Sequence, residues 1–458
     1  MGSGRARILA VTGVVTLVAA GAVEMGGCAE GTTATIDDAG ADVHHAHTGS
    51  TNDGAVGEGG TGPVCTSSPC VVDLAAGGGH TCAVIDDGTV RCWGDDIAGE
   101  LGTPAEASAV TQSAKPLLVA GVSGALKVAA GGMYPTTSYD YGVTCVATAT
   151  GPQCWGSNQY GMLGRGDAVA NDTLPHPAPG PVVGLTSYVN LALGQTHACA
   201  NTATGVMCWG YNEYLGLGAG ALDGGSYVDT PVQAQLPGGK KALEIANGFG
   251  HSCAVLDDKT VACWGYNAEG SCGVPPTGGV TYGIAPVVVS GVSNAVHVAT
   301  GFYHSCVTTA DGSLWCWGYN YQGSIGVTGD GGYIVAPVTI PMPAGHKVAD
   351  VAAGNLSTCA LLDDGTVACW GYDTFGQAGV SPDAATSTGV VATPTIVAGV
   401  GNVQKLAMGA GSQHVCALVR GGSVKCWGSN EFGQLGAATS EGGAVVGTSS
   451  STPVDVQF

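Results

Sequence analysis

Charge is scarce in this sequence: Asp, Glu, Lys and Arg together make up 10% of its 458 residues. That excludes a long charged helix or coiled coil, which needs a dense polar face. Basic residues are scarcer still, 13 Lys and Arg against 34 Asp and Glu, for a formal charge of -21. Such a balance repels a phosphate backbone, so no nucleic-acid partner is expected. It also keeps a chain soluble. The apolar stretch from Ile8 to Val23 is too short for a comfortable membrane span. There is no nucleophile elbow, no His-Glu-x-x-His helix and no phosphate-binding glycine loop, so neither an enzyme nor a cofactor is expected.

What is present in quantity is glycine, 79 residues, and cysteine, 18 residues. The glycine points to many turns, and the cysteine to an oxidising compartment. The N-terminus agrees with export. Arg5 and Arg7 precede the apolar stretch, which ends in Met25-Gly26-Gly27-Cys28, similar to a bacterial lipobox. Residues 1–28 therefore read as a signal peptide with Cys28 as the lipidation site. Glu24 and Met25 depart from the commonest lipobox, and simple secretion is the alternative. Either way the expected location is secreted or cell-envelope, with membrane contact only through a lipid anchor. Residues 29–62 hold no aromatic residue, Lys or Arg and read as a flexible linker, unable to bury enough apolar area to order itself. His44, His45 and His47 lie there as polar filler rather than as metal ligands, since no scaffold converges them.

From 63 to 458 one repeat takes over. A cysteine, nine or ten positions, then Cys-Trp-Gly recurs seven times, with successive first cysteines 63, 54, 54, 53, 53 and 57 residues apart. Each unit runs in the same order: an apolar lead-in such as Val296 to Gly301, a strand with the first cysteine, and a tight turn such as Asp86-Asp87-Gly88. A strand with the second cysteine follows, then a polar loop ending in Gly-x-Leu-Gly, then a β-branched run such as Pro286 to Val289. Four short strands per unit, seven times over, predict a seven-bladed β-propeller of four-stranded antiparallel blades, an all-β fold.

In a hairpin centred on Asp87, Cys82 and Cys92 face each other directly, close enough for a disulfide. The same reasoning pairs Cys145 with Cys154, Cys199 with Cys208 and Cys253 with Cys263. It also pairs Cys306 with Cys316, Cys359 with Cys369 and Cys416 with Cys426. Zinc is disfavoured, because two cysteines across one hairpin have no second pair nearby. Cys65 and Cys70 can clip the loop entering the first blade. Cys272 replaces an aliphatic residue of the other copies (Leu101, Leu163, Leu217) and is expected to be an inert buried thiol.

The recurring Gly-x-x-His-x-Cys, then Asp-Gly-x-Val-x-Cys-Trp-Gly-x-Asn-x-x-Gly-x-Leu-Gly, resembles the regulator of chromosome condensation repeat family. Gly301 to Cys306 and Trp427 to Gly436 are clear examples. The resemblance covers residues from about Pro63 to Phe458 and implies a seven-bladed propeller. The paired cysteines depart from the intracellular pattern and look like an adaptation to export. Founding members of the family are guanine-nucleotide exchange factors that dock on chromatin, and other relatives inhibit β-lactamases through an aromatic-rich face. An acidic, exported chain without a basic N-terminal arm does not fit nuclear exchange, and fold alone does not assign a partner.

The loops after the tryptophans carry Tyr160, Tyr211, Tyr214, Tyr266, Tyr319, Tyr321, Tyr372, Phe375 and Phe432. If the loops share one face, these rings form a partial circle at the propeller mouth, suited to protein or sugar recognition. The alternative is that they cover blade ends and pack on the next repeat. His80, His197, His251, His304 and His414 recur two residues before the first cysteine, with Val143 and Ser357 in the other two copies. Equivalent positions on different blades cannot converge on a metal, so a structural hydrogen bond within each blade is expected. Asp86-Asp87, Asp257-Asp258 and Asp363-Asp364 sit in turns where aspartate is favoured, rather than in calcium sites. The leading expectation is a non-catalytic interaction module for another envelope or extracellular protein. A polysaccharide-binding propeller comes second, and a hydrolase with carboxylates in the central channel third.

Overall fold

The computed structural model describes residues 65–66, 69–103, 111–135, 142–167, 172–221, 226–276, 283–328, 332–380, 389–437 and 447–458. The expected signal peptide, Cys28, the linker and its three histidines lie outside the described residues. Strands β1 (Val71–Ala76), β2 (His80–Ile85), β3 (Val90–Asp95) and β4 (Gln112–Leu118) form an antiparallel meander in chain order. Six more four-stranded sheets repeat it over 125–181, 190–233, 242–288, 295–339, 348–396 and 403–455.

The innermost strands of successive sheets pack on one another, and β1 packs on Val403–Ala407, the innermost strand of the seventh. The sheets are thus the blades of a closed seven-bladed propeller. Ring closure shares no strand between the chain ends, since every blade is one contiguous segment. The Val71 N–H instead donates to Gly422 O at 3.1 Å. The bond repeats those of Ala125 to Gly88 O and Val348 to Gly312 O at other blade interfaces.

The second strand of each blade explains why the sequence folds this way. All six residues of β2 are buried, because both of its faces meet neighbouring blades. In every blade the two repeat cysteines stand directly opposite in the register and are joined, as Cys82–Cys92 through Cys416–Cys426. Cys65–Cys70 is also a disulfide, and Cys272 is free and buried. Burial pushes the Cys272 thiol well above its ordinary value, as an inert core group should be.

Each repeat tryptophan is fully buried against the preceding blade. Trp155 Nε1–H donates to Glu100 O at 2.9 Å, Trp264 to Gly216 O at 2.8 Å and Trp93 to Gln434 O at 2.9 Å. The accepting carbonyl is the second residue of Gly-x-Leu-Gly. The last glycine of that motif is needed because a Cβ on Gly164 would come within 2.8 Å of the Trp209 indole nitrogen. Burying each indole is worth roughly 4–6 kcal/mol as an upper bound.

The recurring histidines bond between blades, not within them, which corrects the expectation from sequence. His80 Nε2 lies 2.9 Å from Thr144 Oγ1 of the next blade, His197 2.8 Å from Ser252 Oγ and His251 3.0 Å from Ser305 Oγ. His304 lies 2.8 Å from Thr358 Oγ1, and His414 closes the circle at 2.7 Å from Thr81 Oγ1. Each hydroxyl gives its own proton to a Gly-x-Leu-Gly carbonyl, as Thr144 does to Glu100 O at 2.9 Å and Thr358 to Ser324 O at 2.8 Å. The imidazole must therefore donate from Nε2, leaving Nδ1 as the bare nitrogen. At the two interfaces without the histidine, Val143 and Ser357 face positions where the next blade has Ala198 and Val415 instead of a hydroxyl. Histidine and hydroxyl are lost together, as expected of a pair in which either member alone is a buried unpaired polar group.

Candidate functional site

With β1–β4 now denoting the first to fourth strand of each blade, and because strands alternate in direction, the β1–β2 and β3–β4 connections emerge at one end, the loop face. The β2–β3 turns and blade-to-blade links emerge at the other, the turn face. The β3–β4 connections are held by the Asn of Trp-Gly-x-Asn, or by Asp96 and Asp373 at the same position in the first and sixth blades. Asn158 Oδ1 accepts from Leu163 N–H at 3.2 Å, Asn267 from Cys272 at 2.9 Å and Asn320 from Ile325 at 3.0 Å. This fixes where the side chains at the intervening positions emerge.

The β1–β2 loops meet around the axis. Gln195 N–H donates to Gly248 O, Phe302 to Gly354 O and Asn355 to Ser412 O, linking successive blades. Gln195 Nε2 reaches Ala410 O at 3.1 Å, joining the third blade to the seventh. A Cβ on Gly411 would lie 2.2 Å from Gly132 O of the second blade. The loops therefore crowd together and cap the axis at this end, and only glycine fits there.

On this cap and its rim the predicted aromatics come together in two groups. Tyr160, Tyr211, Tyr214, Tyr266, Tyr319 and Tyr321 belong to a continuous arc over the second to fifth blades, with ring centroids 4.7 Å apart for Tyr160–Tyr211 and 5.0 Å for Tyr214–Tyr266. Tyr303 bridges the arc, 5.4 Å from Tyr266 and 6.1 Å from Tyr319. Phe249 and Phe302 stack at 4.9 Å beside it. Tyr372, Phe375 and Phe432 form a separate patch around Tyr134, 6.4 Å from Phe375 and 5.7 Å from Phe432. Tyr321 is 59% exposed and the other rings are half-buried. Tyr134, Phe249, Phe302 and Tyr303 were missed in the sequence. The signal was available: Phe249, Phe302 and Tyr303 occupy the variable positions of Gly-x-x-His, and Tyr134 lies in the corresponding loop of the second blade, whose copy has Val143 in place of the histidine.

Carboxylates sit at the phenol ends of these rings. The Tyr266 hydroxyl donates to Glu269 at 3.3 Å, Tyr134 to Glu431 at 2.6 Å, and Tyr211 to Glu213. Burial, then neighbouring charge, raises the Tyr303 phenol to about 12. The Tyr266 and Tyr134 phenols also rise, again through burial first. The hydroxyls of Tyr303, Tyr266 and Tyr134 therefore stay protonated at any physiological pH.

The innermost strands, where a channel hydrolase would need carboxylates, carry Asp73, Glu244 and Asp350, one each in the first, fourth and sixth blades. Asp73 accepts from Lys405 Nζ at 2.6 Å and Val128 N–H at 2.8 Å. Glu244 lies 3.2 Å from His297 Nδ1. Burial lowers the His297 pKa, but the bond to Glu244 and its charge outweigh that, so the imidazole stands above its ordinary value. Asp73 and Glu244 therefore serve charge pairs between neighbouring blades.

On the turn face Asp87, Asp258 and Asp364 each accept from the hydroxyl of the threonine two residues on at 2.6 Å, and from its N–H. Their oxygens serve the turn geometry that favours aspartate.

Fold and repeat together define a β-propeller in which a buried belt, repeated from blade to blade, carries loops that differ from one another at one end. Residues 141–457 match the RCC1-like domain and residues 71–100 the regulator of chromosome condensation (RCC1) repeat, and the chain belongs to this family. It is 28% identical over 284 residues to the ultraviolet-B receptor UVR8 of Arabidopsis thaliana, covering 62% of either chain. Protein pim1 of Schizosaccharomyces pombe is 27% identical over 380 residues, 76% of this chain and 67% of pim1. Among solved structures, Prp20p of Saccharomyces cerevisiae, described for its binding to Gsp1p and histones, superposes with a TM-score of 0.68. It is 20% identical, over 81% of this chain and 87% of that one. Human WBSCR16 superposes with a TM-score of 0.67 at 22% identity, over 81% of this chain and 94% of its own.

Proposed function

We propose that this chain is an exported, non-catalytic propeller that binds another protein at a bacterial cell envelope through its loop face, held there by a lipid on Cys28. The observation that carries the reading is the tyrosine arc. It presents large, neutral, pre-packed rings that lose little entropy on contact, the chemistry of a protein-binding hot spot. The disulfide in every blade supports an oxidising location, and protein binding by Prp20p supports the mode of action. A polysaccharide partner would draw on the same rings, and elution by free sugar separates the two.

The test is a quantitative pull-down from native cell envelope with the full chain beside a Tyr211→Ala, Tyr266→Ala, Tyr319→Ala variant. The expected result is a protein retained by the parent and lost by the variant, with the melting temperature within about 5 °C of the parent. Identical retention by both would remove the arc from the account.

A further inference from the structure

Charge is distributed very unevenly between the two faces. Among the described residues, six of the seven β3–β4 connections hold at least one Asp or Glu, and Arg165 is their one basic residue. The β1–β2 loops contain no Lys or Arg. Arg165 is turned onto its own blade, its guanidinium donating to Ala178 O at 2.6 Å and to Cys154 O. The turn face is mixed, with Lys240, Lys241, Lys259, Lys347 and Arg420 among its aspartates; Lys240 pairs with Asp258 at 2.6 Å.

The aromatic arc therefore lies in a field of one sign, with Glu213 and Glu269 at its phenol groups. A ring face attracts a cation through its quadrupole, by about two- to fivefold in affinity per exposed contact. A neighbouring carboxylate adds direct pairing, and a one-sign face steers an oppositely charged partner to it. A neutral sugar gains stacking and hydrogen bonds to these carboxylates but no charge pairing, and an anionic polymer is repelled.

We propose that the loop face takes a cationic segment of its protein partner, with arginine or lysine side chains laid across the tyrosine arc between Glu213 and Glu269. Arginine suits the site best, because its planar head can stack on a ring while pairing a carboxylate. This rests on the protein-recognition reading above and adds the chemistry of the partner.

The test measures fluorescence anisotropy of labelled peptides of about 12 residues, alternating serine with arginine, lysine or glutamate, at about 50 and 200 mM salt. The full chain should bind the arginine peptide saturably, the lysine peptide more weakly and the glutamate peptide not at all. Glu213→Gln with Glu269→Gln, and separately Tyr211→Ala with Tyr266→Ala, should each weaken arginine-peptide binding by about tenfold or more. Asp257→Asn with Asp363→Asn on the turn face makes the same change in net charge and should leave binding as in the parent. Equal weakening by the loop-face and turn-face pairs would overturn the proposal, since net charge alone would then explain it. So would absence of arginine-peptide binding, or capture of a neutral oligosaccharide in its place. If the tyrosine variant loses the envelope partner while the Glu→Gln pair keeps it, protein recognition stands and the cationic preference falls.

Discussion

Between about pH 6.5 and pH 4 the propeller is expected to lose stability steeply, before most of its carboxylates are protonated. The cause is the belt of five buried histidines. Burial holds His80, His251 and His414 at about 3 and His197 and His304 at about 4. An unfolded histidine titrates near 6.5. Above that value neither state is protonated and the belt makes no pH-dependent contribution. Below it the unfolded chain takes up protons that the folded chain cannot, so stability falls with falling pH until the folded values are reached. The physical obstacle is that Nε2–H is already donated to a hydroxyl, so a second proton must go to Nδ1. For His80, His197 and His304 that atom is buried without a hydrogen-bond partner among the described residues.

Each imidazole contributes about 1 kcal/mol per pH unit well below 6.5, so five together give about 5–7 kcal/mol per unit, comparable with the whole stability of a typical domain. Denaturant midpoints at about pH 7.5, 6.0 and 5.0 measure it. The midpoint should fall clearly from 7.5 to 5.0, and His197→Gln with His304→Gln should flatten the slope. A midpoint independent of pH over that range would mean that the histidines are not held neutral.

Reduction is expected to proceed in two stages of very different difficulty. Cys65 is exposed, whereas both cysteines of every blade disulfide are 0% exposed. Reductant applied to the folded protein should open Cys65–Cys70 and leave the blade disulfides intact, with Cys272 unlabelled by an alkylating reagent. Once denaturant admits the reductant, each lost bridge removes about 2–3 kcal/mol by the chain-entropy estimate, roughly 15–20 kcal/mol if seven are additive. That exceeds typical domain stability, so the reduced chain should not refold without an oxidant. Mapping alkylated cysteines by mass with and without denaturant checks the first stage. Tryptophan fluorescence after dilution checks the second, since the emission of the seven repeat tryptophans depends on burial against the preceding blade. Blade cysteines labelled in the folded protein, or native refolding of the reduced chain, would contradict it.

The fold was legible in the sequence because each motif residue acts over a short range and is repeated in every blade. The paired cysteines are register partners in one hairpin, and the Trp-Gly-x-Asn asparagine bonds a backbone amide five residues on. What a single repeat conceals is what it touches in the next one. His197 and Ser252 are 55 residues apart and belong to different blades, so a reading confined to one unit placed the bond inside the blade. The joint loss of histidine and hydroxyl, at Val143 with Ala198 and at Ser357 with Val415, was a usable clue. The aromatic face was half legible. Loops following tryptophan stood out by their motif, while Phe249, Phe302 and Tyr303 lie between glycine and histidine in loops that only ring closure brings together.

The central claim is that recognition belongs to the loop face, and a hydrogen-exchange footprint of the full chain with its captured envelope partner tests it most directly. The account predicts slowed exchange at residues 211–214, 249–250, 266–269, 302–303 and 319–321, with turns 86–89, 257–260 and 363–366 unchanged. Protection confined to those turns would place the partner on the opposite end of the propeller and contradict it.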